Sequence, residues 1–287
     1  MRALAAKWNT FWFEASFLAW QLAAVRIIFT WILQNHLLDT EIAAPPFGDW
    51  KYPYLTERFY SPFFDFIPLP SYPVFVGLSR LLYFFCLMAM IGLWTRFSML
   101  ISSGILFYLF MLNKIAYLNY FYSMVIVLFL LAFTPCGEKF SVDALISRRA
   151  RQRVVFSWAA RLLQVTVSVI YLATATSKTI PSWMSGEIMG ALIEFRHVRI
   201  PEWMSWARIF LPVTLAWGTL LIEYYLAFAL WFSATRFWAL IAGALFHLIL
   251  DATMSIGSFS WQMMALYIFF LPAPKAAVKI KLANDGR

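Results

Sequence analysis

The chain alternates long apolar runs with short polar or basic breaks, and eight of the runs approach the length that carries a helix across a bilayer. They cover residues 17–38, 73–94, 97–112, 119–134, 154–173, 212–232, 237–250 and 259–271. Spanning the hydrocarbon core takes about 20 apolar residues. The third, seventh and eighth runs are shorter, which implies little tilt or a locally thinned bilayer. A seven-span reading, with one short run merged or dropped, stays open. In lipid every backbone polar group needs a partner within the chain, and runs of this length find it as helices rather than as the strands of a barrel. The pattern therefore predicts an all-α fold, a polytopic integral membrane helical bundle of about eight transmembrane helices. It divides the chain into an N-terminal segment (1–16), a transmembrane domain (17–272) and a basic tail (273–287).

Composition agrees: 62% of the residues are hydrophobic and mean hydropathy is +0.72, against roughly 45–50% apolar usage in soluble domains. The aromatic share, 20%, reads as lipid-facing packing and interfacial belts. Charge then sets an orientation. With the N-terminus in the cytoplasm and eight alternating spans, thirteen basic residues fall inside and seven outside, with Arg26, Arg80 and Arg161 within spans. The inner set is concentrated in short segments, above all Arg148, Arg149, Arg151 and Arg153, as the positive-inside rule requires. Both termini are expected in the cytoplasm of a multi-pass membrane protein, in the inner membrane if the host is bacterial. The net charge of +9 is thereby an orientation signal against anionic headgroups, and nucleic acid is not an expected partner. The first span reads as a signal anchor, not a cleaved leader.

Cys86 and Cys136 form no CxxC pair. The three histidines make no recognisable metal-ligand spacing, so no metal is implied. Phosphate loops, HExxH and GxSxG are absent, as are internal repeats. Two exterior loops stand out: 39–72, rich in proline and aromatics and expected as an irregular lid, and 174–211, expected to hold an amphipathic interfacial helix.

Ionisable groups inside a membrane bundle are candidates for function, because placing them there is costly. In this orientation Gln34, Asn35, His36, Asn113, Lys114, Asn119, Lys178, His247 and Asp251 gather toward the outer leaflet, which suggests a pocket open to the exterior. Each residue also has a plain structural role open to it. Lys114 can snorkel, His247 can make one interhelical hydrogen bond, and Arg26 can pair with a carboxylate such as Glu223.

Three stretches, in order and in register, carry a resemblance. The first is IGLWTRFSML followed by LNKIAYLNYFYSMVIVLFLLAF and EKFSVDAL; the second is YLATATSKTIPSWMSGE; the third is FHLILDATMSIGSFSWQMM. Over most of residues 15–272 they resemble the HTTM (horizontally transferred transmembrane) domain family, which is similar to the membrane part of vitamin K-dependent γ-glutamyl carboxylase. Arg26, in AVRIIF, fits the same pattern. The resemblance implies that Lys178, five residues before Trp183, matches the lysine that deprotonates vitamin K hydroquinone. It implies that His247 with Ser255 and Gly257 matches the FH…SIG segment, and that Lys114 and Asn119 match the polar turn before the fourth span. The implied catalytic set is Lys178, His247 and Tyr120, and the implied substrate-binding set is Asn119, Lys114, Trp183, Ser255, Gly257 and Arg26. The chain departs from the pattern at Tyr120, where the family's histidine would assist the basic lysine, and it carries no counterpart of the carboxylase's exterior domain.

A lysine acts as a base only when neutral, and burial in an apolar pocket can bring its pKa from about 10.4 to about 7. Two functions follow. One is a carboxylase-like membrane enzyme working at the outer face on a quinol (vitamin K-like) or another lipid-soluble substrate, or modifying an exported peptide. The other is a non-catalytic membrane partner in export or maturation of a secreted peptide. Lys178 and His247 favour the first, Tyr120 and the missing exterior domain the second. Transport has neither inverted repeats nor paired broken helices behind it.

Overall fold

The computed structural model describes residues 2–39, 67–68, 70–112, 119–147, 154–201, 206, 209–254 and 256–272. The expected lid at 39–72, the basic run 148–153 and the tail after 272 fall largely or wholly outside these residues. The described chain is mostly helical, with twelve helices, and it divides into two compact units, residues 1–163 with 271–287 and residues 164–270.

The first unit holds α1 (Arg2–Phe13), β1 (Ser16–Leu18), α2 (Ala19–Asp39), α3 (Tyr72–Ile91), α4 (Thr95–Met111), α5 (Asn119–Ala132), α6 (Val142–Ile146), β2 (Val154–Phe156) and the first turns of α7 (Trp158–Lys178). Its centre is α2, packed against α3 and α5 with Leu22, Ala23, Val25, Phe29 and Leu33 fully buried. Local chemistry fixes the helix ends. Pro73 opens α3, where a missing N–H costs nothing. Gly92 closes it at φ 72°, and the Leu93 N–H returns to the Met88 carbonyl at 2.9 Å. The Ser141 hydroxyl caps α6 by accepting the Ala144 N–H at 2.9 Å.

The second unit holds the rest of α7, α8 (Pro181–Met184), α9 (Glu187–Glu194), α10 (Leu211–Ala229), α11 (Arg236–Thr253) and α12 (Phe259–Leu266), which ends in a 3₁₀ turn at Tyr267–Phe270. The segment 174–211, expected to hold an amphipathic helix, contains α8 and α9. Met189 packs with Val198, Ala216 and the Trp183 ring, while Glu187 and Glu194 are exposed.

Two expectations change. Residues 154–156 are not helical: they pair antiparallel with β1, Ser16 opposite Phe156 and Leu18 opposite Val154, so a small two-stranded ribbon joins the helices. Val154, Val155 and Phe156 suit a strand, and the Ser157 hydroxyl then accepts the Ala160 N–H at 3.2 Å to start α7. In consequence α7 runs on to Lys178, which closes its last turn instead of following the span.

The second change concerns the count. Among the described residues four helices are long and apolar enough to cross a membrane, α3, α7, α10 and α11, with shorter apolar helices at Thr95–Met111, Tyr120–Ala132 and Phe259–Phe270. The count of eight spans is not established. α2 has the length, 21 residues, but carries Gln21, Arg26, Thr30, Gln34, Asn35 and His36. Its neighbours answer these groups: Gln34 donates to the Tyr83 carbonyl at 2.8 Å and Gln21 to the Leu271 carbonyl at 2.9 Å. A helix at the centre of a unit meets protein on its faces, so it tolerates polarity that a lipid-facing helix would not.

Candidate functional site

Lys178 reaches from the C-terminal turn of α7, where the helix dipole favours a cation, and its Nζ donates to Glu223 Oε1 on α10. The side chains are 22% and 7% exposed, so an ion pair sits at the edge of the second unit's interior. The Trp183 ring lies 5.4 Å from Nζ, within cation–π range. That ring is fixed in turn, because its indole N–H donates to the Ala216 carbonyl at 3.0 Å and ties α8 to α10. Gly186, at φ 81°, makes this approach possible: a Cβ there would stand 2.8 Å from the Val213 nitrogen. Glu223 Oε2 has no hydrogen-bond partner among the described residues. The Thr174 hydroxyl, one turn before Lys178, is committed to the Ile170 and Tyr171 carbonyls at 2.9 and 3.0 Å.

On the same helix face, seven residues before Lys178, the buried Tyr171 hydroxyl joins two further groups. One is His247 Nε2 on α11 at 2.7 Å and the other is the Tyr267 hydroxyl. The His247 ring is 1% exposed and is surrounded by the rings of Tyr171, Phe246, Phe259 and Tyr267, with centroids 5.4–6.1 Å away. Gly243, one turn before His247, leaves room for Tyr267; a Cβ there would lie 2.7 Å from the Tyr267 Cζ. His247 Nδ1 has no partner among the described residues. The chain of hydroxyls can run either way. If Tyr171 donates to Nε2, Nδ1 carries the ring proton; if Nε2 donates to Tyr171, Nδ1 is a bare acceptor. The Tyr171 hydroxyl thus donates to one of its two partners and accepts from the other, which couples the His247 tautomer to the orientation of the two phenols.

Arg26 stands elsewhere, in the first unit. Its carboxylate partner was expected to be Glu223, which pairs with Lys178 instead. Arg26 is fully buried and its Nη2 donates to the Phe140 carbonyl, while a Cβ at Gly92 would collide with Nη1. Around it the first and last parts of the first sequence stretch lock together. Asp143 accepts from the Trp94 and Thr95 N–H groups at 2.9 and 2.8 Å and from the Thr95 hydroxyl at 2.6 Å, and returns its own N–H to the Gly92 carbonyl at 2.9 Å. Trp94 and Phe140 hold left-handed backbones at φ 45° and 48° in this knot. Nearby Cys136 is wholly buried, and burial pushes its thiol up from the ordinary range.

Of the other expected site residues, Tyr120 belongs to the first unit, where its ring stacks on His36 with centroids 5.1 Å apart and planes at 15°. Gly257, in the second unit, takes φ 61° in the turn before α12, a backbone role. Lys114, Ser255 and the Asn119 side chain lie outside the described residues. Sequence reasoning missed Tyr171 and Tyr267 as partners of His247. The seven-residue spacing from Tyr171 to Lys178 was a usable signal, since it places both on one helix face, whereas nothing in the sequence marked Tyr267.

The HTTM domain model matches residues 15–274, nearly the whole chain. No solved structure matches it.

Proposed function

The chain belongs to the HTTM domain family, and from that premise we propose that it is a membrane enzyme in which Lys178 takes a proton from a quinol or other lipid-soluble hydroxyl compound. The family's domain is the one found in vitamin K-dependent carboxylase. The observation that carries the reading is the Lys178–Glu223 pair, an acid and a base in contact within an apolar unit. Two opposite charges at low dielectric gain little over two neutral, hydrogen-bonded groups, because desolvation works against both ions. When a substrate ring covers the exposed side of the pair, the shared proton passes from Nζ to Glu223, leaving an amine lone pair and a carboxylic acid. The amine then accepts the substrate's hydroxyl proton, and the products are a substrate oxyanion and an ammonium that can ion-pair with it. His247, held by Tyr171 and Tyr267, is the group we assign to orient a substrate oxygen. A peptide exported past the outer face is the second substrate class within this reading.

A non-catalytic partner in secreted-peptide maturation is the second reading, and Tyr120 favours it: its ring is engaged in a stack with His36 and supplies no base at that position. Lys178→Met and Lys178→Arg separate the two. Methionine keeps the apolar stem, and arginine keeps the charge but cannot release its proton at physiological pH. Loss of quinol oxidation or of the maturation phenotype in both, at equal membrane expression, supports the enzyme. Full complementation by Lys178→Arg makes Lys178 an anchor and leaves the partner reading.

A further inference from the structure

We infer that α1 is an in-plane membrane anchor, seated by its Leu4–Trp8–Phe11 stripe in the anionic headgroup layer of the leaflet at the basic end of the first unit. Helices of this length are marginal in water on their own and need a packed face. α1 meets one only at its C-terminal end, where Arg161 lies over Phe11 and Trp12 is half-buried; toward its start Leu4 is 75% and Trp8 62% exposed. Yet it is amphipathic. Leu4, Trp8 and Phe11 fall at positions i, i+4 and i+7, with Trp12 edge-on to both Trp8 and Phe11, while Ala6, Asn9 and Thr10 occupy the opposite side. Something apolar covers the stripe, and its location says what.

The helix is tethered to the start of the long helices. Arg161, in the first turn of α7, donates its Nε to the Phe11 carbonyl at 3.1 Å and sets its guanidinium 4.9 Å over the Phe11 ring. The Ser157 N–H reaches the Ala15 carbonyl at 3.1 Å, and the β1–β2 ribbon follows directly. α1 thus leaves the unit at the N-terminal ends of α2 and α7, and α7 is long and apolar enough to cross a membrane. That is the depth at which headgroups meet acyl chains, and tryptophan with flanking cations is the composition that partitions there. Lys7 flanks the stripe and Arg161 sits beneath it, so cations from two helices border one apolar stripe and complement an anionic leaflet.

The test uses the full chain in nanodiscs, one set containing phosphatidylglycerol and one made of phosphatidylcholine alone. Spin labels are placed singly on Leu4→Cys, Phe11→Cys, Ala6→Cys and Thr10→Cys, with Cys86 and Cys136 replaced by alanine. The expected result is a ratio of oxygen to nickel-chelate accessibility several-fold higher at positions 4 and 11 than at 6 and 10, with a contrast that shrinks in the phosphatidylcholine discs. Equal chelate access at all four positions would put the helix in water and overturn the anchor. Dipolar broadening between singly labelled molecules would mean that a second copy covers the stripe. A contrast indifferent to lipid charge would remove the anionic leaflet from the inference.

Discussion

Tyr171 and His247 are separated by 76 residues in the chain and meet at 2.7 Å in the interior of the second unit, where the same phenol also touches Tyr267. One hydroxyl thus joins three helical segments, α7, α11 and the turn that closes α12. Such a junction is expected to be both structurally costly to remove and functionally placed, since it lies on the helix face that ends in Lys178.

Tyr171→Phe should destabilise more than Tyr267→Phe. Removing the Tyr171 hydroxyl strips the buried His247 Nε2 of its partner, and a buried unsatisfied polar atom costs ~1–3 kcal/mol. Removing the Tyr267 hydroxyl leaves the Tyr171–His247 bond standing. Thermal unfolding of the purified variants in one detergent measures the order, and a reversed order would show that Tyr267 holds the junction.

Glu223→Gln should lower both stability and activity, and the double variant Glu223→Gln with Lys178→Met should recover stability alone. Breaking a fully buried ion pair by removing one member costs ~3–5 kcal/mol, and the partial exposure of Lys178 puts this pair at or below that range. Removing both charges leaves no buried charge uncompensated, and a neutral amide costs less to bury than an unpaired ion. A double variant that regains activity would exclude the pair from the chemistry.

Gly243→Ala should be destabilising by about 1–3 kcal/mol, the cost of overpacking, because the new methyl would meet the Tyr267 ring at 2.7–2.9 Å. Tyr267→Phe should not relieve it, since the ring carbons clash as well as the hydroxyl. Tyr267→Ala should. Unfolding midpoints of the three combinations decide whether the contact, rather than glycine's backbone freedom, sets the requirement.

The orientation can be read by labelling intact cells. Cysteine at Ser185 should react with a membrane-impermeant maleimide and cysteine at Ser147 should not, as the basic bias requires. The native background should be low. Cys86 and Cys136 are both buried, and Cys136, its thiol held protonated by burial, should label only after denaturation even at mildly alkaline pH. Labelling at Ser147 but not at Ser185 would invert the topology.

The sequence by itself determined that this is a helical membrane protein of the HTTM family, and among the described residues it located the long apolar helices to within about five residues. Lipid imposes a length and an apolarity that can be counted along the chain, and three motifs in register marked the family. It also singled out Lys178, His247, Arg26 and Glu223, because an ionisable residue in an apolar run stands out by cost alone. Only the tertiary structure decided who meets whom. Glu223 answers Lys178 and not Arg26, since pairing depends on which helix faces adjoin and in which rotation, and apolar composition is nearly uniform around such helices. Tyr171 and Tyr267 could not be told from dozens of belt aromatics until their hydroxyls met. The strand at Val154–Phe156 was hidden for a related reason: a short apolar segment reads alike as strand or helix until its partner, Ser16–Leu18, is placed beside it.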